Sequence, residues 1–157
     1  MKISIIQIDE TDEKWISEGI LKYTTRLDRY LKLEIKTIKI SKATRQKSIQ
    51  EQKNEEGKKI ISLLEPGDFV ILLDENGDSF NSKEFAETIK HHQNYQRKNL
   101  FFIIGGPYGF SNEVYNRAEK KMQLSQMTFS HQMIRPFFFE QLYRAFTILK
   151  GEKYHHD

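Results

Sequence analysis

The sequence contains no cysteine, no long apolar run and little net charge. Without cysteine it can form neither a disulfide framework nor a zinc site with thiolate ligands. No apolar run approaches the roughly 20 residues of a membrane-spanning helix, and the N-terminus turns polar too early for a signal peptide. The net charge of +3 is too small to indicate a nucleic-acid partner by itself. We therefore expect a cytoplasmic protein with one domain over residues 1–157, no membrane segment and no metal site.

Apolar segments that alternate with helical patterns predict an α/β fold with a mostly parallel sheet flanked by helices. The runs at 69–73 and 100–104 are continuous, which is typical of strands buried on both faces. Residues 33–40 alternate between apolar and polar, so this strand belongs near a sheet edge. Residues 74–77 have the composition of a turn, and the basic segment 41–47 that of a mobile loop. Further strands are predicted at 2–8 and 122–125, and helices at 12–30, 49–64, 82–97, 111–117 and 132–150.

A glycine-rich loop, Gly105-Gly106-Pro107-Tyr108-Gly109, follows the apolar run at 100–104. The carboxyl ends of buried parallel strands are where α/β sheets open a ligand crevice. The spacing matches neither a dinucleotide fingerprint nor a phosphate-binding P-loop, and a tight turn without a ligand explains the glycines equally well. Leu73-Asp74 ends another buried strand and residues 124–129 end a third, so we expect a crevice where the three strand ends converge.

The last predicted helix carries apolar residues around most of its circumference. Phe138, Leu142 and Phe146 form one stripe, while Met133 and Phe137 add apolar surface elsewhere. Such a helix must be covered on more than one side. A second copy of the chain would do this, giving a homodimer through the C-terminal helices. The alternative is a central core helix in a monomer.

Charged and titratable groups on this helix allow two interpretations. Arg135 and Arg144 could meet phosphate or carboxylate groups, or could form a structural ion pair, for example with Glu140. His131, at the predicted helix start, could cap the helix, bind a ligand or move a proton. No nucleophile elbow is present, which argues against covalent hydrolase chemistry.

The sequence resembles the SPOUT methyltransferases, and within them the small single-domain RlmH family. The resemblance covers nearly the whole chain, and its C-terminal block is the specific part. Two positions depart from the family pattern: Ser130 stands where relatives usually carry proline, and Pro136 where they carry an aliphatic residue. The matching segments are Leu72-Leu73-Asp74, 103–109, 124–135, 140–146 and Tyr154-His155.

The resemblance implies a C-terminal trefoil knot, a feature otherwise essentially absent from folds. It implies S-adenosyl-L-methionine as the cofactor and a homodimer packed through the terminal helices. The substrate it implies is 23S rRNA within the ribosome, methylated at N3 of a pseudouridine in the helix 69 loop. The cofactor-binding positions are Leu73, Gly105, Leu124, Ser125, Gln126, Met127, Thr128 and Phe129.

The N3 nitrogen carries a proton and is a poor nucleophile until that proton leaves, so a base or a stabilising cation is required. The resemblance assigns this chemistry to His131, Arg144, Tyr154 and His155 without saying which takes the proton. We expect the tail after Gly151 to serve chemistry more than folding, since it follows the predicted helix terminus. Three alternatives stay open: a different target nucleotide, another nucleotide-utilising α/β enzyme that binds phosphate at the glycine loop, and a non-catalytic ribosome-binding dimer.

Overall fold

The computed structural model describes residues 2–95 and 99–156. In this part of the chain, five strands alternate with six helices. The predicted helix end near Arg97 lies outside the described residues. The elements are β1 (Ile3–Ile8), α1 (Lys14–Leu27), β2 (Leu33–Ile38), α2 (Lys42–Arg45), α3 (Ile49–Ile61), β3 (Phe69–Ser79), α4 (Ser82–Tyr95), β4 (Leu100–Ile104), α5 (Asn112–Arg117), β5 (Lys120–Gln123) and α6 (Ile134–Leu149).

The strands form one sheet in the order β2-β1-β4-β3-β5, and every neighbouring pair is parallel. The predicted α/β fold is confirmed, and β2 lies at an edge as its alternating pattern indicates. β3 and β4 lie between neighbouring strands of the sheet. Both faces of the sheet are covered there, which agrees with their continuous apolar runs. The trefoil knot stays a prediction.

Alternation along the interior strands divides the core into two layers. Leu100, Phe102 and Ile104 of β4 point into the larger layer, which also contains buried residues of α1, α4 and α6. Phe101 and Ile103 point the other way, into a layer with residues of α3 and α5. All the strands run in one direction, so their carboxyl ends meet at one edge of the sheet.

Two segments differ from their predicted structure. Residues 42–45 are a helical turn and not a loop, because the side chain of Ser41 accepts a hydrogen bond from the Thr44 N–H and caps it. β3 continues through the predicted turn at 74–77, with a register shift between Leu73 and Asp78 where it pairs with β5. Gly77 permits this pairing, since a Cβ there would lie 2.5 Å from the backbone nitrogen of Met122.

Local contacts explain where α6 begins and where it ends. Pro136 is the third residue of the helix, in the first turn, where an N–H has no partner inside the helix, so the proline costs little. Ser130, the other departure from the family pattern, accepts a hydrogen bond from the Met133 N–H at 3.1 Å and orders the turn before the helix. At the far end, Gly151 has a φ of 67°, and Glu152 donates its N–H to the carbonyl of Thr147, which completes a Schellman motif.

Most of the apolar circumference of α6 is covered by the same chain. Phe138, Phe139 and Leu142 are fully buried, and Phe138 packs against Phe102 at a centroid distance of 5.0 Å. Phe137 stays 46% exposed. The packing therefore buries Phe138 within the protomer itself, whereas the ring of Phe137 remains partly exposed. The homodimer stays a prediction.

We expect Phe138→Ala to lower the free energy of unfolding by about 3–5 kcal/mol, because it empties a fully buried site. Phe137→Ala should cost far less in the monomeric state, since its ring already contacts solvent. Urea denaturation of both variants at low protein concentration measures the difference, and equal losses would contradict the assignment of Phe138 to the core.

Candidate active site at the carboxyl ends of the strands

A cavity of about 640 Å³ opens at the carboxyl ends of β4 and β5 and beside residues 73–76 of β3, where Leu73 pairs with Ile104 at the end of β4. The glycine loop forms one wall and the segment 124–131, which precedes α6, forms another. Its position is the crevice that the sequence predicts from converging strand ends. Its volume is within the range of small-molecule sites, which is roughly 300–1,000 Å³.

The glycine loop is a tight turn that presents its backbone to this cavity. The N–H of Gly109 donates to the carbonyl of Gly106 at 3.3 Å, with Pro107 and Tyr108 at the centre of the turn. Gly109 has a φ of 78°, which favours glycine. Gly105 does not have a positive φ; a Cβ there would instead lie 3.0 Å from the ring of Phe110. The space beside Gly105 is therefore limited by the core and not by backbone strain.

The structure brings most of the predicted cofactor-binding residues together. The cavity wall contains seven of the eight, together with His131. Gln126 is exposed and is not part of the wall. The seven are Leu73, Gly105, Leu124, Ser125, Met127, Thr128 and Phe129.

The charged groups of the cavity wall are carboxylates. Among the residues described around the cavity, Asp74 and Glu75 are acidic, and none is lysine or arginine. The Tyr115 hydroxyl donates to Asp74 at 2.5 Å, and burial followed by this hydrogen bond raises the pKa of Tyr115 to about 12. The Thr128 hydroxyl donates to Glu75 at 2.7 Å and so links the 124–131 segment to β3. Such a cavity suits a cationic or neutral ligand better than a polyphosphate.

His131 is half-buried in the cavity wall. Burial, and next the positive charge of Arg135, lower the pKa of His131. The neutral imidazole is therefore favoured, which is the form that can accept a proton. Capping of the turn before α6 comes from Ser130, so His131 is available for other roles.

Arg135 anchors the start of α6 to the end of β1. Its side chain is fully buried and donates hydrogen bonds to the carbonyls of Ile8, Asp9 and His131 and to the hydroxyl of Thr11. Gln132 adds a second connection through the carbonyl of Glu10. Arg135 is thus a structural group, and the expectation that it meets phosphate has no support from its contacts.

A cluster of ion pairs lies behind the glycine loop. Arg45 of α2 pairs with Asp9 and with Glu56 of α3. The carboxylate of Glu56 is so close to Gly106 that a Cβ at position 106 would lie 2.9 Å from Oε2. Burial, outweighing the opposite effect of Arg45, raises the pKa of Glu56. Asp9 has a φ of 60° and also accepts a hydrogen bond from the Ile40 N–H. The cluster therefore connects the ends of β1, β2 and β4.

The other predicted catalytic residues form a separate group at the far end of α6. Arg144 donates to Glu140 at 2.5 Å, and the hydroxyl of Tyr154 donates to the same carboxylate at 3.1 Å. The guanidinium of Arg144 also lies 3.4 Å from Nδ1 of His155 and 4.8 Å from the centre of the Tyr154 ring. Burial, and next hydrogen bonding with Tyr23, raise the pKa of Tyr154.

His131 and this tail cluster do not meet within one chain. Arg144 comes ten residues after the first residue of α6, which corresponds to roughly 15 Å along the helix axis. The structure thus supports a structural ion pair of Arg144 with Glu140, while the shared location of Arg144, Tyr154 and His155 agrees with a common role.

The tail is docked on its own chain. Tyr154 packs against the larger core layer, and Glu152 accepts a hydrogen bond from Tyr30 at 2.7 Å. Since the Glu152 N–H also completes the end of α6, the tail contributes to folding as well, and the expectation that it serves chemistry more than folding stays a prediction. Single substitutions therefore test its chemistry better than a deletion.

No helix of the described residues is long and apolar enough to cross a membrane. Within the same ranges, no group of three or more histidine, aspartate or glutamate side chains is arranged to hold a metal ion.

Comparison with known proteins identifies relatives over the full length. A family model described as a predicted SPOUT methyltransferase matches residues 1–155. Ribosomal RNA large subunit methyltransferase H of Christiangramia forsetii is 52% identical over 156 residues, covering 99% of each chain. The protein of the same name from Parabacteroides distasonis is 46% identical over the whole of both chains. A probable methylase family protein from Haemophilus influenzae has the same fold, with a TM-score of 0.53 at 14% identity, covering 99% of this chain and 70% of the other.

We expect Gly105→Val to weaken S-adenosyl-L-methionine binding at least tenfold while the chain stays folded. The valine side chain would force Phe110 to move and would enter the cavity wall. Titration calorimetry with circular dichroism measures both properties, and Gly105→Ala should show a smaller effect. Unchanged affinity in the valine variant would remove Gly105 from the binding site.

We expect Glu56→Ala to lower the free energy of unfolding by about 2–3 kcal/mol, because it leaves Arg45 with one carboxylate and empties a buried site. Glu55 provides the comparison: it is the preceding residue on α3, and its carboxylate pairs with Lys47 and accepts a hydrogen bond from Thr44 at a more exposed position. Thermal unfolding should show a smaller loss of stability for Glu55→Ala than for Glu56→Ala. Equal destabilisation by the two variants would show that the cluster behind the glycine loop has no special importance.

Proposed function

The chain belongs to the RlmH family of SPOUT methyltransferases, and from this premise we propose that it transfers a methyl group from S-adenosyl-L-methionine to N3 of a pseudouridine in helix 69 of 23S rRNA. The substrate we propose is the assembled ribosome in the cytoplasm. The names of its relatives support ribosomal RNA of the large subunit as the target.

The charge of the cavity is the observation that favours this cofactor. S-adenosyl-L-methionine supplies a methyl group on a positively charged sulfonium and also carries an ammonium and a carboxylate group, so its net charge is positive. A wall with Asp74 and Glu75 and no lysine or arginine complements such a ligand. The same wall disfavours the alternative in which the glycine loop binds the phosphates of a nucleotide, because Asp74 and Glu75 would repel a phosphate and no lysine or arginine of the wall would offset them.

The residues that would hold the cofactor lie beside Leu73 of β3 and directly after β4 and β5. Gly105 offers its backbone to the cavity, the segment 124–129 lines it through every residue except Gln126, and Leu73 provides apolar contact. His131 stands in the same wall with its neutral form favoured, so it can accept a proton from a base bound beside the cofactor.

A homodimer would explain why the proposed catalytic residues lie in two places. His131 lines the cavity, whereas Arg144, Tyr154 and His155 cluster at the other end of α6. We propose that two copies associate through α6, so that the tail cluster of one protomer lies at the cavity of its partner. The exposed ring of Phe137, whose centre lies 5.1 Å from that of Phe129 in a tilted contact, gives α6 an uncovered apolar surface near that cavity.

Methyl transfer from labelled cofactor tests the proposal. Purified protein with tritiated S-adenosyl-L-methionine should label 23S rRNA in ribosomes that lack the modification, and nuclease digestion should place the label on one pseudouridine. Cofactor binding without transfer would indicate a non-catalytic ribosome-binding protein. Label on another nucleotide would keep the enzyme class and change the target.

We expect Tyr154→Phe and His155→Ala each to reduce methyl transfer at least tenfold. Both side chains belong to the cluster around Arg144, and each can position or move a proton. Cofactor affinity and the unfolding midpoint are measured in parallel and should change little. Wild-type transfer rates in both variants would assign the proton chemistry to His131 alone.

A further inference from the structure

Tyr108 is an exposed aromatic residue at the mouth of the cavity. Its turn is closed by the hydrogen bond between Gly109 and Gly106, and Pro107 restricts the backbone at the second position of the turn. The backbone of Tyr108 is therefore held firmly, while its side chain is 47% exposed. The neighbouring Phe110, in contrast, is buried in the core.

Nothing in the fold explains the aromatic ring at this position. Across residues 2–95 and 99–156, the Tyr108 side chain makes no hydrogen bond, ring contact or cation contact. Phe137 contacts Phe129 and Tyr95 contacts His91, whereas Trp15, which is also exposed without such a contact in the described residues, lies on α1 outside the cavity wall. Because the backbone of Tyr108 is fixed and its ring makes none of these contacts, the ring is suited to contact a ligand.

The charge of the cavity limits how an RNA substrate can be held there. Asp74 and Glu75 repel phosphate, and the chain as a whole carries only +3. Contact with the target nucleotide must then come from the uncharged base more than from the backbone. Single-stranded bases are commonly held by stacking on aromatic side chains, which depends little on charge.

We propose that Tyr108 stacks on the target nucleobase, or on the base next to it, and positions it beside the cofactor. The inference rests on the proposed function, since it requires an RNA substrate at this cavity. The ring face is the functional part, and the hydroxyl is dispensable. Tyr108 is thus a substrate-binding residue and not a proton-transfer group.

Four proteins test this inference: wild type, Tyr108→Ala, Tyr108→Phe and the control Tyr95→Ala. Tyr95 is an exposed tyrosine on α4, outside the wall of the cavity. The measurements are kcat and KM for methyl transfer to ribosomes, cofactor affinity by calorimetry, the unfolding midpoint, and binding to ribosomes by co-sedimentation.

We expect Tyr108→Ala to lower kcat/KM for ribosomes by roughly 10- to 100-fold, the size of one lost stacking contact. Cofactor affinity and the unfolding midpoint should equal those of wild type. Tyr108→Phe should keep kcat/KM within about twofold of wild type, and Tyr95→Ala should match wild type in every measurement.

Three results would overturn the inference. Wild-type kcat/KM in Tyr108→Ala would exclude a substrate contact, a proportional loss of cofactor affinity would place Tyr108 in the cofactor site, and an equal loss in Tyr108→Phe would make the hydroxyl the functional group. If wild type itself transfers no methyl group to ribosomes, the proposed function fails. Co-sedimentation then still decides the inference, because stacking predicts weaker ribosome binding by Tyr108→Ala in either case.

Discussion

The buried guanidinium of Arg135 is the interaction on which the candidate site depends. It is surrounded by carbonyl oxygens from the end of β1 and from His131 itself, so a charge that would be costly in the interior is satisfied by the backbone. This arrangement fixes where α6 begins relative to the sheet. The segment 124–131 is then held between β5 and a fixed helix start, and the position of His131 in the cavity follows from that constraint.

A second ionic connection supports the opposite wall. Arg45 links Asp9 to Glu56, and Glu56 packs against the glycine loop at Gly106. Because Asp9 also contributes its carbonyl to Arg135, the two walls of the cavity share one residue at the end of β1. Asp9 has a positive φ, a backbone conformation that costs free energy. Its side chain contacts Arg45 and the Ile40 N–H, and its carbonyl contacts Arg135, so these three contacts offset that cost. Neither ionic group faces the cavity, so the charge inside the cavity is left to Asp74 and Glu75.

The interior of the sheet could be predicted from the sequence because strands buried on both faces carry uninterrupted apolar runs, as 69–73 and 100–104 do. The position of the crevice could be predicted in the same way, from the residues at which those runs end.

Other features depend on contacts between distant segments: β3 continues through a turn-like composition only because Gly77 allows it to pair with β5, and Arg45 pairs with residues 9 and 56. Asp74, Tyr115 and Glu56 were missed as site residues, because their positions depend on contacts between distant segments that the local sequence does not indicate. The residues at 124–129 were identified through family resemblance, since nothing in their local pattern distinguishes them from an ordinary loop.

The parallel sheet also has a consequence for synthesis of the chain. Ile3 of β1 pairs with Leu33 on one side and with Leu100 on the other. A ribosome adds roughly 5–20 residues per second, so one edge of this apolar strand stays open for several seconds after it emerges. No adjacent hairpin can protect it, because parallel strands are joined by crossovers and pair only over long sequence separations. A nascent chain of this protein is therefore expected to need shielding from other nascent chains during that interval, until β4 emerges and closes the open edge of β1.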